Sequence, residues 1–325
     1  MGKDKTEKNL TSPSGGWGLY AGQKQVIVPA ITPLTEDFKL DKTGVEKLFE
    51  LFYSNSVLPF ILGTTGEASS LSVELKEKYI KRAGRLKKAN TLLYAGISSN
   101  AFAESVDLAK YAFDHGVDAV VATVPSYYEL THSQMKKYFT ELADAINGPL
   151  IIYNIPATTH MSIPLVLINE LSYHPNIVAT KDSERSEERL RESLTLWKER
   201  KDFSHFMGWA ARSVAALFSG SDGVVPSTAN LVPGIYSRMI EAVKKGDRQQ
   251  AYAMQEQSDT WGNLYQSGKT LGESLWALKY LMQQEGICQP HVMPPLQPLP
   301  FEQEEQLAKG LTDLKEANSS KIKQA

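Results

Sequence analysis

The chain has 325 residues, of which 42% are hydrophobic and 22% charged, with a formal net charge of −2. These are ordinary values for a globular protein, and the lack of a basic excess argues against nucleic acid as a partner. A single cysteine, Cys288, excludes an intrachain disulfide and a cysteine-based zinc site, and it favours a reducing, cytoplasmic location. No apolar run has the length of a transmembrane helix, so no membrane partner is expected.

The first 24 residues differ in character from the rest of the chain. They are polar and rich in glycine and serine, and they lack the apolar segment of a signal peptide. We interpret residues 1–24 as a flexible N-terminal arm.

Eight short apolar runs come after the arm. They are rich in β-branched and aromatic residues, as fully buried strands are. The runs span residues 26–30, 59–63, 91–96, 118–124, 149–154, 176–181, 205–209 and 222–227.

Helical patterns separate the runs. Val45, Leu48, Phe49 and Phe52 have the i, i+3, i+4, i+7 spacing of one helix face. Three serines are candidate N-caps of other helices: Ser72, Ser133 and Ser186.

Eight strand–helix units in about 220 residues have the number and size of a TIM barrel. A doubly wound sheet is the alternative, but it seldom has eight evenly spaced units. We therefore predict an α/β fold, a TIM (β/α)8 barrel over residues 25–246. Residues 247–325 have no strand-like run and predict a C-terminal helical extension that ends in a frayed tail.

The ends of the fifth and sixth predicted strands carry the residues with the most suggestive chemistry. A lysine just past a strand often only extends its charged head into solvent. Lys181, however, ends the sixth strand, and Tyr153 ends the fifth. Active sites of TIM barrels lie at the C-terminal ends of the strands, so an amine and a phenol are expected in one cavity.

A buried lysine has a lowered pKa, and the neutral amine can form a Schiff base with a carbonyl compound. Such chemistry requires a proton shuttle, and Tyr153 is the candidate for that role. A pyridoxal phosphate enzyme is a further possibility, but the run Val225-Pro226-Ser227 is a poor phosphate site. The histidines are scattered and only His160 is expected near the barrel mouth, so neither a metal nor a cofactor is predicted.

The segment Gly63-Thr64-Thr65-Gly66-Glu67 follows the second strand. Its glycines allow a tight turn whose backbone N–H groups converge, and its threonine hydroxyls add donors. Beside a Schiff-base lysine, this turn is expected to bind the carboxylate of a 2-oxo acid. For Trp209, packing and a role in the pocket are about equally plausible.

These motifs together, GTTGE at 63–67, YNIP at 153–156 and TKDS at 180–183, resemble the signature of the dihydrodipicolinate synthase / N-acetylneuraminate lyase family. The resemblance covers residues 25–310. It implies class I aldolases and related lyases that form a Schiff base with pyruvate or another 2-oxo acid, and a homotetramer built as a dimer of dimers.

The resemblance also implies roles for individual residues. Lys181 would form the imine and Tyr153 would transfer protons. Thr64 and Thr65 would bind the carboxylate, and Thr65 would connect Tyr153 to a tyrosine of a neighbouring subunit. That tyrosine is Tyr127, or Tyr128 if the alignment shifts by one residue. Further residues match positions that line the pocket: Ser183, Gly208 and Ser227.

The second substrate is less clearly indicated. Thr158 stands where dihydrodipicolinate synthases usually have a substrate-binding arginine. Sialic acid lyases have an acidic pair after the strand-seven glycine, where this sequence is Gly208-Trp209-Ala210-Ala211. His160 replaces a small residue that is commonly glycine. The stretches HPNIVATKDS and PPLQPL resemble the branch that handles small 2-oxo acids.

We therefore predict a lyase that cleaves or condenses pyruvate with a small aldehyde, like 4-hydroxy-2-oxoglutarate or 2-keto-3-deoxy acid aldolases. Three alternatives stay open: a dihydrodipicolinate synthase, a 2-keto-3-deoxy sugar acid dehydratase, and a barrel that binds 2-oxo acids without catalysis.

Overall fold

The computed structural model describes residues 24–322. The predicted N-terminal arm, apart from Lys24, and the last three residues of the tail lie outside this range. Eight parallel strands form a closed barrel in which each strand pairs with the next along the chain and the eighth pairs with the first. The strands are β1 Gln25–Pro29, β2 Leu58–Ile61, β3 Tyr94–Gly96, β4 Ala119–Ala122, β5 Leu150–Asn154, β6 Ile177–Asp182, β7 Ser204–Met207 and β8 Gly223–Val224. The predicted TIM barrel is confirmed.

Helices surround the barrel and continue beyond it. Those between the strands are α1 Lys42–Ser54, α2 Val73–Leu86, α3 Phe102–Asp114, α4 His132–Ile146, α5 Pro156–Thr159, α6 Leu165–Leu171, α7 Glu187–Leu196 and α8 Ser213–Phe218. After β8 come α9 Pro233–Lys244, α10 Arg248–Gln266, α11 Leu271–Gln284 and α12 Phe301–Ile322. None of the helices within residues 24–322 is both long and apolar enough to cross a membrane.

The strands are apolar without alternation because both of their faces are covered. Every residue of β4, β5 and β6 is buried. One apolar cluster, which includes Phe60, Tyr94 and Phe206, lies inside the barrel, and a larger one lies between strands and helices. β8 is shorter than its apolar run because the chain leaves the barrel at Pro226, which precedes a short 3-10 helix.

Two of the three predicted serine N-caps are confirmed. Ser72 and Ser186 accept hydrogen bonds from the amides of Leu75 and Arg189 at the starts of α2 and α7. The prediction for Ser133 was wrong, because α4 begins at His132 and Ser133 lies in its first turn. Its N-cap is Thr131, which exchanges hydrogen bonds with Gln134 in a capping box and so satisfies two amides of the first turn.

Candidate active site

Lys181 and Tyr153 are register partners on the adjacent strands β6 and β5. Side chains of paired residues in parallel strands point to the same face, which here is the barrel interior at its C-terminal end. The Lys181 Nζ lies 3.8 Å from the centroid of the Tyr153 ring and 5.0 Å from that of Phe60. Both Lys181 and Tyr153 are 5% exposed.

Burial lowers the pKa of the Lys181 amine, because the charged ammonium loses its hydration inside the barrel. Tyr153 acts in the opposite sense, since its hydroxyl favours the charged form of the lysine. Desolvation is the larger effect, so a greater share of the amine is neutral near pH 7 than for an ordinary lysine. A neutral amine is the form that attacks a carbonyl carbon.

A polar network lies behind these two residues, and no local sequence pattern indicates it. Asn154 and Asp182, which directly follow Tyr153 and Lys181, are also register partners, and the Asn154 amide donates to the Asp182 carboxylate at 3.1 Å. Arg189 Nε donates to the other Asp182 oxygen at 2.6 Å. Burial raises the pKa of Asp182, although Arg189 opposes this. The network ties the ends of β5 and β6 together.

One cavity of about 960 Å³ opens at the C-terminal ends of the strands. It brings together seven of the eight residues selected from the sequence. Those that line it are Thr64, Thr65, Tyr153, Lys181, Ser183, Gly208 and Ser227. Half-buried Trp209 also lines the cavity and packs against the core.

Gly208 is required by the close approach of β7 to the end of β6. A Cβ atom at this position would lie 2.0 Å from the Ser183 hydroxyl oxygen and 2.8 Å from the Asp182 carbonyl oxygen. The Gly208 amide donates to that same carbonyl at 2.6 Å. Any side chain here would displace Ser183 from the cavity wall.

The N–H groups of the GTTGE turn were predicted to converge on a ligand, but two of them form hydrogen bonds within the turn. The amides of Gly66 and Glu67 donate to carbonyls within the turn, Gly63 O and Thr64 O, at 3.0 Å each. Within residues 24–322, the Thr64 and Thr65 hydroxyls have no hydrogen-bond partner in the structure. They are the donors that this turn offers to the cavity.

Glu67, the last residue of the turn, connects it to the helical extension. Its carboxylate forms an ion pair with Lys279 of α11, and the side chains of both residues are completely buried. Its second oxygen accepts from the Met293 amide at 2.7 Å, and Lys279 also donates to the His291 carbonyl at 2.6 Å. Glu67 has a left-handed backbone (φ 57°), and it does not line the cavity with the two threonines.

The extension also forms part of the cavity wall, which the apolar pattern of the chain does not predict. Asp259, Asn263 and Gln266 of α10 all line the cavity. Their i, i+4, i+7 spacing is the signal that could have revealed a polar face of this helix. The Tyr265 hydroxyl lies 2.7 Å from the hydroxyl oxygen of Ser227, which joins α10 to the residues after β8.

Two residues singled out from the sequence lie elsewhere. Tyr127 is 77% exposed and stacks edge-to-face on Tyr128, outside the cavity of its own chain. His160 was expected near the mouth, but it is exposed and does not line the cavity. It is the C-cap of the short helix α5, in a left-handed conformation (φ 57°).

No group of three or more His, Cys, Asp or Glu side chains within residues 24–322 is arranged to hold a metal ion.

Known proteins share these features. A model of the family described as "Dihydrodipicolinate synthetase family" matches residues 23–314. A 4-hydroxy-tetrahydrodipicolinate synthase of Acidiphilium cryptum is 32% identical over 70% of this chain and 78% of its own length.

Solved structures agree with this family. A dihydrodipicolinate synthase of Bacteroides thetaiotaomicron superposes with a TM-score of 0.84 at 29% identity, covering 89% of this chain and 98% of that one. YagE of E. coli K12, a prophage protein of the dihydrodipicolinic acid synthase family solved in complex with pyruvate, has a TM-score of 0.84 at 26% identity, covering 90% and 98%.

Proposed function

The chain belongs to the dihydrodipicolinate synthetase family, a family of aldolase-type lyases, and from that premise we propose that it joins pyruvate to a small aldehyde, or cleaves the product, through a Schiff base on Lys181. The observation that carries the proposal is the buried amine of Lys181, 3.8 Å from the ring of Tyr153 in the cavity wall. Pyruvate is the bound molecule in the related YagE structure.

The reaction begins with attack of the neutral Lys181 amine on the keto carbon of pyruvate. The carbonyl π electrons move to the oxygen, Tyr153 delivers a proton, and water leaves to give a protonated imine. Thr64 and Thr65 hold the pyruvate carboxylate through their hydroxyls. These hydroxyls hold the carboxylate both before and after the imine forms. They thereby orient the keto carbon toward the amine.

Carbon–carbon bond formation comes next. The imine draws electrons from the methyl carbon, which loses a proton to the phenolate oxygen of Tyr153 and becomes an enamine. The enamine carbon attacks the aldehyde carbon, and the aldehyde oxygen takes up a proton through Tyr153. Water then hydrolyses the imine, so that one pyruvate and one aldehyde give one 4-hydroxy-2-oxo acid and the free lysine.

Reductive trapping tests this function directly. The protein is incubated with pyruvate, reduced with borohydride and digested, and the modified peptide is identified by mass spectrometry. We expect the adduct on Lys181. Lys279 is the internal control, because it is also buried but is paired with Glu67 and lies outside the cavity. Absence of an adduct on Lys181 would refute the proposal.

The variant Tyr153→Phe separates binding from proton transfer. It should still be trapped with pyruvate, while aldol turnover falls by about 10²–10⁴-fold, the usual contribution of general acid–base catalysis. Unchanged turnover would remove Tyr153 from the mechanism. Deuterium exchange of the pyruvate methyl protons by the wild-type protein distinguishes a catalyst from a barrel that only binds 2-oxo acids, since only a catalyst exchanges them.

A synthase that condenses pyruvate with aspartate semialdehyde is the second candidate, because relatives about 30% identical carry that name. Thr158 of this chain cannot supply the positive charge that would bind a carboxylate. A coupled assay with aspartate semialdehyde decides between the two. We also propose a cytoplasmic homo-oligomer, on the single buried cysteine and on the exposed Tyr127, which would complete the site of a neighbouring subunit.

A further inference from the structure

The cavity is much larger than its pyruvate end requires. A volume of about 960 Å³ is near the upper limit for sites that enclose an entire small organic ligand, whereas pyruvate has three carbons. The remaining space is bounded by Trp209, Ala210 and Ala211 after β7 and by α10 of the extension. This outer part of the cavity is where the second substrate has to lie.

A hydrogen bond holds the Asp259 carboxylate in place in the outer wall of the cavity. Gln255, which is 6% exposed, donates through Nε2 to the Ala210 carbonyl at 3.0 Å and to Asp259 Oδ1 at 2.8 Å. Its Oε1 accepts from the Val214 amide at 3.1 Å. A buried amide with three protein partners therefore fixes the carboxylate beside the chain that leaves β7.

The second carboxylate oxygen of Asp259 is left for a ligand. Within the described part of the chain, Asp259 Oδ2 has no hydrogen-bond partner in the structure. Partial burial raises the pKa of Asp259, which the Gln255 hydrogen bond and the charge of Arg212 oppose. An acceptor held in this way is suited to hydroxyl groups, because a hydroxyl can donate to it without bringing a second negative charge.

Asn263 lies one turn further along the same helix face and also lines the cavity. Its side-chain amide has no hydrogen-bond partner within residues 24–322. An amide both donates and accepts, so it can bind a hydroxyl in either direction. Asp259 and Asn263 are separated by one helical turn, about 5–6 Å between Cβ atoms, which is a span suited to hydroxyls on neighbouring carbons.

We propose that Asp259 and Asn263 form a binding site for the hydroxyl groups of the second substrate, and that this substrate is a polyhydroxylated aldehyde, such as a short aldose. Gln255 is a positioning residue of this site. The proposal rests on the proposed pyruvate chemistry of Lys181, and it assigns specificity to the helical extension.

The test compares two three-carbon aldehydes in condensation with pyruvate, D-glyceraldehyde and propanal, which differ in their hydroxyl groups. The wild-type protein should favour glyceraldehyde in kcat/KM. In Asp259→Asn and Asn263→Leu that preference should fall by about ten- to a hundredfold, the effect of losing a hydrogen bond to a charged or polar partner. The readout is the ratio of the two kcat/KM values, so a loss that affects both aldehydes equally does not support the proposal.

Controls keep the result specific. Glu241→Gln removes the same charge from the neighbouring helix α9 at an exposed position outside the cavity, and its preference should equal that of the wild type. Borohydride trapping of pyruvate on Lys181 should be retained in every variant. If the wild type is not trapped, the proposed pyruvate chemistry of Lys181 fails. If trapping is retained, the aldehyde preference reports only on the role of Asp259 and Asn263.

Several outcomes would overturn the inference while trapping persists. They are equal turnover of the two aldehydes by the wild type, turnover of neither, and an unchanged preference in Asp259→Asn. Succinic semialdehyde tests the opposite specificity, since Arg185 also lines the cavity. A preference for this anionic aldehyde that is lost in Arg185→Met would assign the outer cavity to a carboxylate instead.

Discussion

The position of Lys181 on its strand accounts for its expected reactivity. Its register partner is Tyr153, and the two residues beyond them, Asn154 and Asp182, are tied by a hydrogen bond. The inward pair carries the proposed chemistry, and the outward pair holds the strand ends at a constant separation. Successive residues of a strand point to opposite faces. The paired ends of β5 and β6 can therefore carry the chemistry on one face and hold the strands together on the other.

The pairing of Lys181 and Tyr153 could be predicted because both residues end apolar runs, and parallel strands bring such ends together. The role of Arg189 could not. It lies in α7, seven residues after its partner Asp182. Asp182 is an acidic residue, and no local pattern indicates that it is buried. Charges buried through tertiary contacts carry no periodic signal.

We expect His205 to make the stability of the protein depend on pH. It is buried at the start of β7 between the hydroxyls of Ser193 and Ser221, and burial lowers its pKa to about 3. The unfolded chain, with a histidine pKa of about 6.5, then binds more protons than the folded chain between pH 3 and 6.5. The free energy of unfolding therefore falls as the pH is lowered through this window, by up to about 1.4 kcal/mol per pH unit.

The measurement is urea unfolding at pH 7.5, 6.0 and 5.0 for the wild type and for His205→Gln. Glutamine preserves polar contacts but does not titrate. We expect the wild type to lose stability more steeply than the variant as the pH falls. Parallel curves for the two proteins would contradict the prediction.

At the scale of elements, the ion pair of Glu67 with Lys279 links the turn after β2 to α11. Removing one partner leaves the other charge buried without compensation, which typically costs about 3–5 kcal/mol. Lys279→Met should therefore lower the free energy of unfolding by about that amount. The double variant Glu67→Gln/Lys279→Met should recover part of the loss, because no uncompensated charge is left.

Urea unfolding of the single and double variants checks this expectation. The surface pair of Glu74 and Lys78, within α2, is the matched control. Lys78→Met should change stability little, since exposed ion pairs are screened by water. A single Lys279→Met variant no less stable than Lys78→Met would show that the buried pair does not hold the turn.

The elements themselves were largely predictable, since each of the eight apolar runs overlaps a strand. Their lengths were not, because an apolar run continues past the last strand residue into the loop that covers the core, as it does at Pro226. The start of α4 was misassigned because two hydroxyl residues, Thr131 and Ser133, compete for the cap. The glutamine at the third helical position decides for Thr131.

At the scale of the whole molecule, Tyr127 connects the proposed function to assembly. It is 77% exposed and lies outside its own cavity, so its proposed catalytic role requires a second subunit. Two inactive variants, Lys181→Ala and Tyr127→Phe, should then regain activity when they are mixed and allowed to exchange subunits. In a mixed pair, the site with an intact Lys181 receives an intact Tyr127 from its neighbour.

Aldol turnover after mixing is the readout, and each variant incubated alone is the control. Mixing Lys181→Ala with Tyr153→Phe is the matched negative case, because both residues line the same cavity of one chain. Recovery in that second mixture, or none in the first, would contradict the proposed arrangement.

The contribution of α10 to the cavity also bears on how such a protein can change during evolution. On the proposals made above, the residues that activate pyruvate belong to the barrel, whereas Asp259 and Asn263 belong to a helix added after it. Point mutations on that helix could alter the accepted aldehyde without moving Lys181 or Tyr153. New substrate ranges would then be accessible in single steps, each through an intermediate that still activates pyruvate.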